Sequence, residues 1–254
     1  MSPIRTRLIT MAALGTVLIT GCGSSEPDGS AGAAPSTTRQ SAAPPSTPAA
    51  SIADLTAQQI LKKAGAAVRA AVSVRVRGPL AVEDGPPMAI DVGMTNAGSS
   101  GTITMDGAAL EVLVIGQTAY VQPSDAYWRQ TVKPKSAADK LIKQTRGRWI
   151  KAKLTDEGFG QTASFASKAT FFDSTFDGDH AVRKVGPRTI GGILCVGLGK
   201  DGEGIAWLDA GTARLIQLDQ PAPTASITFT EYDQVKAPKA PPKAQVIDGK
   251  TLGL

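Results

Sequence analysis

Thr102-Ile103-Thr104-Met105-Asp106-Gly107-Ala108-Ala109-Leu110-Glu111-Val112-Leu113-Val114-Ile115-Gly116-Gln117 decides the fold. Ile103 and Met105 alternate with threonines, the period of a strand with one buried face. Asp106-Gly107 is a two-residue hairpin signal, because the turn that matches strand twist needs positive φ at its central positions. Leu110, Val112 and Val114 return on the far side, and Gly116-Gln117 turns the chain again into Ala119-Tyr120-Val121-Gln122. The same period runs upstream. Met88, Ile90, Val92 and Met94 alternate with smaller or polar residues after a Gly85-Pro86-Pro87 break. Before that break, Val72, Val74 and Val76 alternate with Ser73, Arg75 and Arg77. These stretches predict an antiparallel meander with one apolar and one wet face.

The flanks supply its cover. Leu55-Thr56-Ala57-Gln58-Gln59-Ile60 has the form of a capping box, Thr56 as N-cap and Gln59 at N3, opening a helix with Ile60, Leu61, Ala64, Val68 and Ala71 on one face. A helical insert follows the meander, starting at Ser136-Ala137-Ala138-Asp139 and ending at Gly147, with Leu141 and Ile142 as its apolar residues. Arg148-Trp149-Ile150-Lys151 reads as a short strand, and the Phe-rich segment 156–176 as short helices or turns. Strands are expected again at 181–186, 188–198, 204–209, 213–219 and 225–232, before a Pro-rich 237–242 and an edge strand near Val246-Ile247. The fold class is therefore α+β: a curled antiparallel sheet of about ten strands, a half-barrel, whose concave face is covered by the N-terminal helix and the short insert.

The N-terminus has a separate grammar. Arg5 and Arg7 precede an apolar run from Leu8 to Ile19, too short for the ~20 residues that a membrane-spanning helix needs. Leu18-Ile19-Thr20-Gly21-Cys22 then reads as a lipobox, at which a signal peptide is cut before a lipidated cysteine. Residues 1–21 are expected to be removed, and Cys22 to carry the lipid, with palmitate among its acyl chains. Residues 22–50, built mainly from Ala, Ser, Pro, Gly and Thr, cannot bury enough apolar area to fold and should act as a tether. Residues 51–254 form the half-barrel domain. The expected location is the outer face of a cytoplasmic membrane, held by lipid and not by a span.

The order of these parts is similar to actinobacterial lipoproteins of the LppX and LprG type, whose fold is shared with the LolA carrier. The phrases that carry the resemblance are Thr102–Gly107, Val114–Val121, Gly147-Arg148-Trp149-Ile150-Lys151, Thr189-Ile190-Gly191-Gly192 and Phe229-Thr230-Glu231-Tyr232. The resemblance implies a half-barrel holding lipid or acyl chains in an apolar cavity between sheet and helices. Ile90, Val92, Leu110, Val112, Leu141, Ile142 and Phe165 are the expected lining. The rival reading is a non-catalytic envelope interaction module with the same fold packed shut.

Composition narrows the chemistry. The full chain has 27 Lys+Arg against 22 Asp+Glu; without Arg5 and Arg7 the net charge of +5 becomes +3, and export removes nucleic acid as a partner. With Cys22 lipidated, Cys195 stands alone and no intramolecular disulfide forms; its strand setting reads as a buried inert thiol. His180 is the single histidine, beside Asp179 in a Gly-Asp turn, and no Gly-x-Ser-x-Gly elbow accompanies it. Asp173–Asp179 matches part of a calcium loop, but its twelfth position, which should be a bidentate Glu, is Lys184. No enzyme, metal or cofactor is expected. The expected partners are the membrane through the N-terminal lipid, a lipid or acylated ligand, and an anionic envelope component. The last would meet the basic stretch 129–153, with Lys133, Lys135, Lys140, Lys143, Arg146, Arg148 and Lys151 and only Asp139 opposing.

Overall fold

A computed structural model describes residues 51–80, 88–176, 181–200, 204–221 and 226–253, all within the compact unit Pro48–Leu254. The expected signal peptide, Cys22, the expected tether, the Gly85-Pro86-Pro87 break and Asp177–His180 lie outside the described residues, as do the side chains of Ser174, Thr175 and Lys200.

The hairpins form where alternation and turn residues predict them. β1 (Ser73–Leu80), β2 (Met88–Thr95), β3 (Gly98–Met105), β4 (Ala108–Ile115) and β5 (Thr118–Pro123) make an antiparallel meander. β6 (Trp149–Lys153) pairs with β5, and β12 (Val246–Asp248) adds to β6 in parallel. On the other side of β1 lie β11 (Ser226–Thr230), β10 (Leu215–Asp219), β9 (Gly204–Asp209), β8 (Ile193–Lys200) and β7 (Arg183–Ile190). The order β12-β6-β5-β4-β3-β2-β1-β11-β10-β9-β8-β7 is one open sheet of twelve strands rather than about ten, and it is mixed through β12.

One stretch departs from expectation in a simple way. Residues 188–198 are not one strand but the ends of β7 and β8, joined at Gly191-Gly192 with φ of 55° and 83°. That left-handed pair makes the tight turn a hairpin needs. Pro187 then falls in β7, an edge strand, opposite Val196, and the register shifts between Val185 and Pro187, the kind of place where a strand accepts proline.

Register aligns one apolar row across the sheet. Phe229 faces Val76, Val76 faces Val92, Val92 faces Gly101, Gly101 faces Val112, Val112 faces Val121, and Val121 faces Ile150. Its large members are buried, each burial contributing roughly 1.5–3 kcal/mol. The helices close over this face. α1 (Ala57–Ala70) has the capping box: Gln59 N donates to Thr56 Oγ1 at 3.3 Å, and Thr56 N donates to Gln59 Oε1 at 2.9 Å. It buries Ile60, Ala64 and Val68. A helix that was not expected, α2 (Asp125–Thr131), precedes the expected insert, which is α3 (Lys135–Thr145), and the Phe-rich segment is α4 (Phe159–Ser164) and α5 (Lys168–Phe176). Phe171 and Phe172 of α5 pack on Phe229 with ring centroids 6.2 and 5.8 Å away. The result is an α+β half-barrel with its helices on the apolar face.

Candidate ligand cavity

The concave side is solid at its centre and hollow at one margin. Ile90, Val92, Leu110, Val112 and Ile142 all sit in one continuous buried core, and Leu141 packs half-buried against it. Phe165, the C-cap of α4, is 38% exposed. None of these seven lines either cavity described below.

The larger apolar hollow lies beside β6. Ser124 caps α2 by accepting from Tyr127 N at 3.2 Å, and the first turn of that helix turns Tyr127 and Trp128 inward. Trp128 Nε1 donates to Thr145 Oγ1 at 3.2 Å; Thr145 in turn donates to Leu141 O at 2.8 Å, which satisfies the buried indole and joins α2 to α3. Phe159, the first residue of α4, completes an aromatic triangle: Tyr127–Trp128 centroids are 6.0 Å apart, and Phe159 lies 5.7 Å from each. The turn before α4 is tied down by Asp156 Oδ2, which accepts from Lys153 N at 2.8 Å.

Between these rings, β6 and the C-terminal segment is a cavity of about 390 Å³. Trp128, Phe159, Ile150, Ala152 and Val132 give it an apolar floor. Lys151, Lys153, Glu157, Asp248 and Lys250 stand at its exposed rim. The wall from Asp248 to Lys250 exists because β12 pairs with β6, setting Asp248 opposite Lys151. Burial raises the Tyr127 phenol above its ordinary pKa, so it lines the space as a neutral group at physiological pH. An arrangement of apolar floor and charged rim can take the tail of an amphiphile and leave its head in water. Its size is at the lower end of the ~300–1,000 Å³ usual for small-molecule sites.

A second cavity of about 360 Å³ lies between α1, the turns Asn96-Ala97 and Gly116-Gln117, and the start of α5, with Val68, Val114 and Phe172 among its lining. Lys168 borders it. Its Nζ donates to Asn96 Oδ1 at 2.7 Å and to Ala71 O at the end of α1. Burial lowers the Lys168 pKa, against the opposing charge of Asp233.

The basic stretch forms the exposed side of α2, α3 and β6. Lys133, Lys135, Lys140, Lys143, Arg146, Arg148 and Lys151 are all exposed. Arg129 lies 3.9 Å from Asp125 and 3.7 Å from Asp139, and Arg146 3.8 Å from Asp125. Among the described residues no three His, Cys, Asp or Glu gather as a metal site would require, and no helix is long and apolar enough to cross a membrane. Cys195 is buried, and burial raises its thiol pKa.

Sequence reasoning missed Tyr127, Trp128, Ala152 and Phe159. The available signal was Ser124 three residues before Tyr127, an N-cap spacing. No protein-family model and no curated protein matches the chain. Among solved structures it is similar to the crystal structure of LprF from Mycobacterium bovis, at 17% identity and TM-score 0.48, over 72% of this chain and 96% of that one. MucB in complex with MucA(peri) is similar at 16% identity and TM-score 0.33 (72% of this chain, 57% of that one). The Pseudomonas aeruginosa MucA/MucB complex matches at 15% and 0.32 (74% and 59%). At these identities the likeness concerns the fold and not what is bound.

Proposed function

We propose that this is a non-catalytic, lipid-anchored protein of the outer face of the cytoplasmic membrane, tethered through Cys22, that holds one acyl chain or similarly small amphiphile. The observation that carries the ligand reading is the 390 Å³ hollow with its aromatic floor and charged rim. Each methylene transferred from water to that floor would contribute about 0.8 kcal/mol. The centre of the concave face is occupied by the buried core.

The test is to fill the hollow. Ala152 sits half-buried on the cavity side of β6, so Ala152→Trp would occupy the space without disturbing the core row. Native mass spectrometry should find an amphiphile on the wild-type chain, and a fluorescent fatty acid should bind it. Ala152→Trp should retain the circular dichroism of the wild type and lose both signals. Equal uptake by the two chains, or none by either, would overturn the reading.

The packed centre also favours a second reading, an interaction module for an envelope partner, with the exposed basic side of α2 and α3 as its contact. Crosslinking on intact cells that captures a partner, lost on charge reversal at Lys140 and Lys143, would support it.

A further inference from the structure

Register sorts the connections of the sheet to two ends. The pairs Ile190–Ile193, Leu215–Leu208, Ser73–Thr95 and Ile115–Thr118 put four features at one end: the β7–β8 turn, the β9–β10 turn, the start of β1 and the β4–β5 turn. The pairs Met105–Ala108 and Leu110–Pro123 put the Asp106-Gly107 turn and the start of α2 at the other.

Exposed large hydrophobics are not spread over both. Among the described residues there are four: Val72 at 60%, Leu194 at 57%, Ile193 at 38% and Phe165 at 38%. Val72 immediately precedes β1, and Ile193 and Leu194 follow the Gly191-Gly192 turn at the start of β8, so these three belong to the first end. Phe165 is two residues from Ser167, which lines the second cavity together with Asn96 and Gly116 of that end. The two cavities reach the same end, through Gly116-Gln117 in one case and through Lys153–Gly158 in the other; Leu154 N donates to Gln117 O at 3.1 Å.

The polypeptide enters the domain there too. Ile52 N and Ser51 Oγ both donate to Ala210 O, at 2.8 and 3.4 Å, and Ala210 N donates to Leu194 O at 2.9 Å. Ser51 is therefore two hydrogen bonds from an exposed leucine, and Cys22 stands 29 residues upstream. If the expected tether is an unstructured chain of that length, it would span about 30 Å root-mean-square and would keep this end near a surface to which Cys22 is fixed.

We propose that this end of the half-barrel is a membrane-contact pole: Val72, Phe165, Ile193 and Leu194 touch the interfacial layer of a phospholipid bilayer and hold the cavities toward it. Four such side chains give too little apolar area to bind a bilayer alone. Beside a lipid anchor they supply orientation, since the anchor provides the proximity and the pole needs only a weak, reversible contact. The inference rests on the anchored reading above for its orientation and is separable from it by experiment.

The full, lipidated chain carrying Cys195→Ala and one new thiol is labelled with an environment-sensitive fluorophore and reconstituted into phosphatidylglycerol–phosphatidylcholine vesicles with nitroxide-bearing acyl chains. The labelled sites are Leu194→Cys, Val72→Cys and, at the opposite end, Asp125→Cys. The expected result is a blue shift and loss of emission at 194 and 72, with neither at 125. Flotation of the same vesicles reports the anchor separately, because Cys22→Ala should abolish it. A chain that floats but shows identical, unquenched emission at all three sites overturns the pole and leaves the anchor standing. A chain that does not float overturns both. Two labelled sites at the pole make the result independent of whether either single variant folds poorly.

Discussion

Asp219 is a carboxylate on the wet face of the sheet with four donors around it. Gln217 Nε2 and Ser226 Oγ donate to Oδ1 at 2.6 and 2.7 Å; Trp207 Nε1 and an Arg188 guanidinium nitrogen reach Oδ2 at 2.8 and 3.2 Å. Arg188 also lies over the Trp207 ring, 5.3 Å from its centroid. Burial works against the charged form, but the three hydrogen bonds and Arg188 outweigh it and hold the pKa below the ordinary carboxylate value. A depressed folded pKa contributes stability that is whole above the unfolded value of about 3.9 and is lost as pH falls through the folded one. Asp219→Asn should therefore cost about 1.5–3 kcal/mol in urea unfolding at pH 7, the range for a charged hydrogen-bond partner removed. The gap between mutant and wild type should narrow as pH is taken below 4. A gap that is constant with pH would show that the charge is not what the cluster uses. Gly101 is the opposite kind of residue, important for what it lacks. A Cβ there would stand 2.1 Å from Asp91 O and 2.6 Å from Val92 Cα, both backbone, at the middle of the inner row. Gly101→Ala should cost at least the upper end of the ~1–3 kcal/mol that overpacking carries, read as a lowered urea midpoint.

Elements differed in how far their neighbours in sequence determined them. α1 is written locally, by a capping box and an apolar stripe, and its prediction is local too. Thr56→Ala should cost about 1 kcal/mol by removing the N-cap acceptor of Gln59 N, and Thr56→Ser should restore most of it in thermal melts. The meander was legible for the same reason, since alternation and an Asp-Gly turn act over a few residues. Where a segment's period was ambiguous, the turn residues decided it. Ile193, Leu194 and Val196 could have continued one strand from Arg188, and only the left-handed Gly191-Gly192 pair folds them back. α2 escaped because its inward residues, Tyr127 and Trp128, are adjacent and show no 3.6 spacing. The candidate site was the least legible part. Its floor comes from α2, β6 and α4, and its far wall from β12, paired to β6 across about a hundred residues of chain. No local pattern encodes such a pairing. Of the residues expected to line a cavity, Ile90, Val92, Leu110 and Val112 are core-facing ones in β2 and β4, and strong alternating strands are the ones that pack closed.

At the scale of the whole domain one side of the half-barrel is held by stacked rings and the other is closed by a short edge strand, and they should differ in how they open. The first side joins β1, β2 and β11 to α1 and α5, with Phe171, Phe172 and Phe229 in ring contact. The side beside β6 is closed by β12, three residues long and paired along one edge only. Local opening is least costly where few apolar contacts and few ladder bonds must break. Amide hydrogen exchange should therefore be slowest in β1, β2, β4 and α1, and orders of magnitude faster at Val246-Ile247-Asp248 and the turn that follows. An amphiphile seated beside β6 touches that segment from within, so it should slow exchange at residues 246–252 and at Ile150–Lys153 while leaving β7–β10 unchanged. At a hundred times its Kd the same ligand should add about 2.7 kcal/mol to global stability. For a domain of this size that is a Tm rise of roughly 2–4 °C per kcal/mol. Ligand protection appearing instead around Asn96, Gly116 and Lys168 would place the ligand in the second cavity and overturn the assignment of the first.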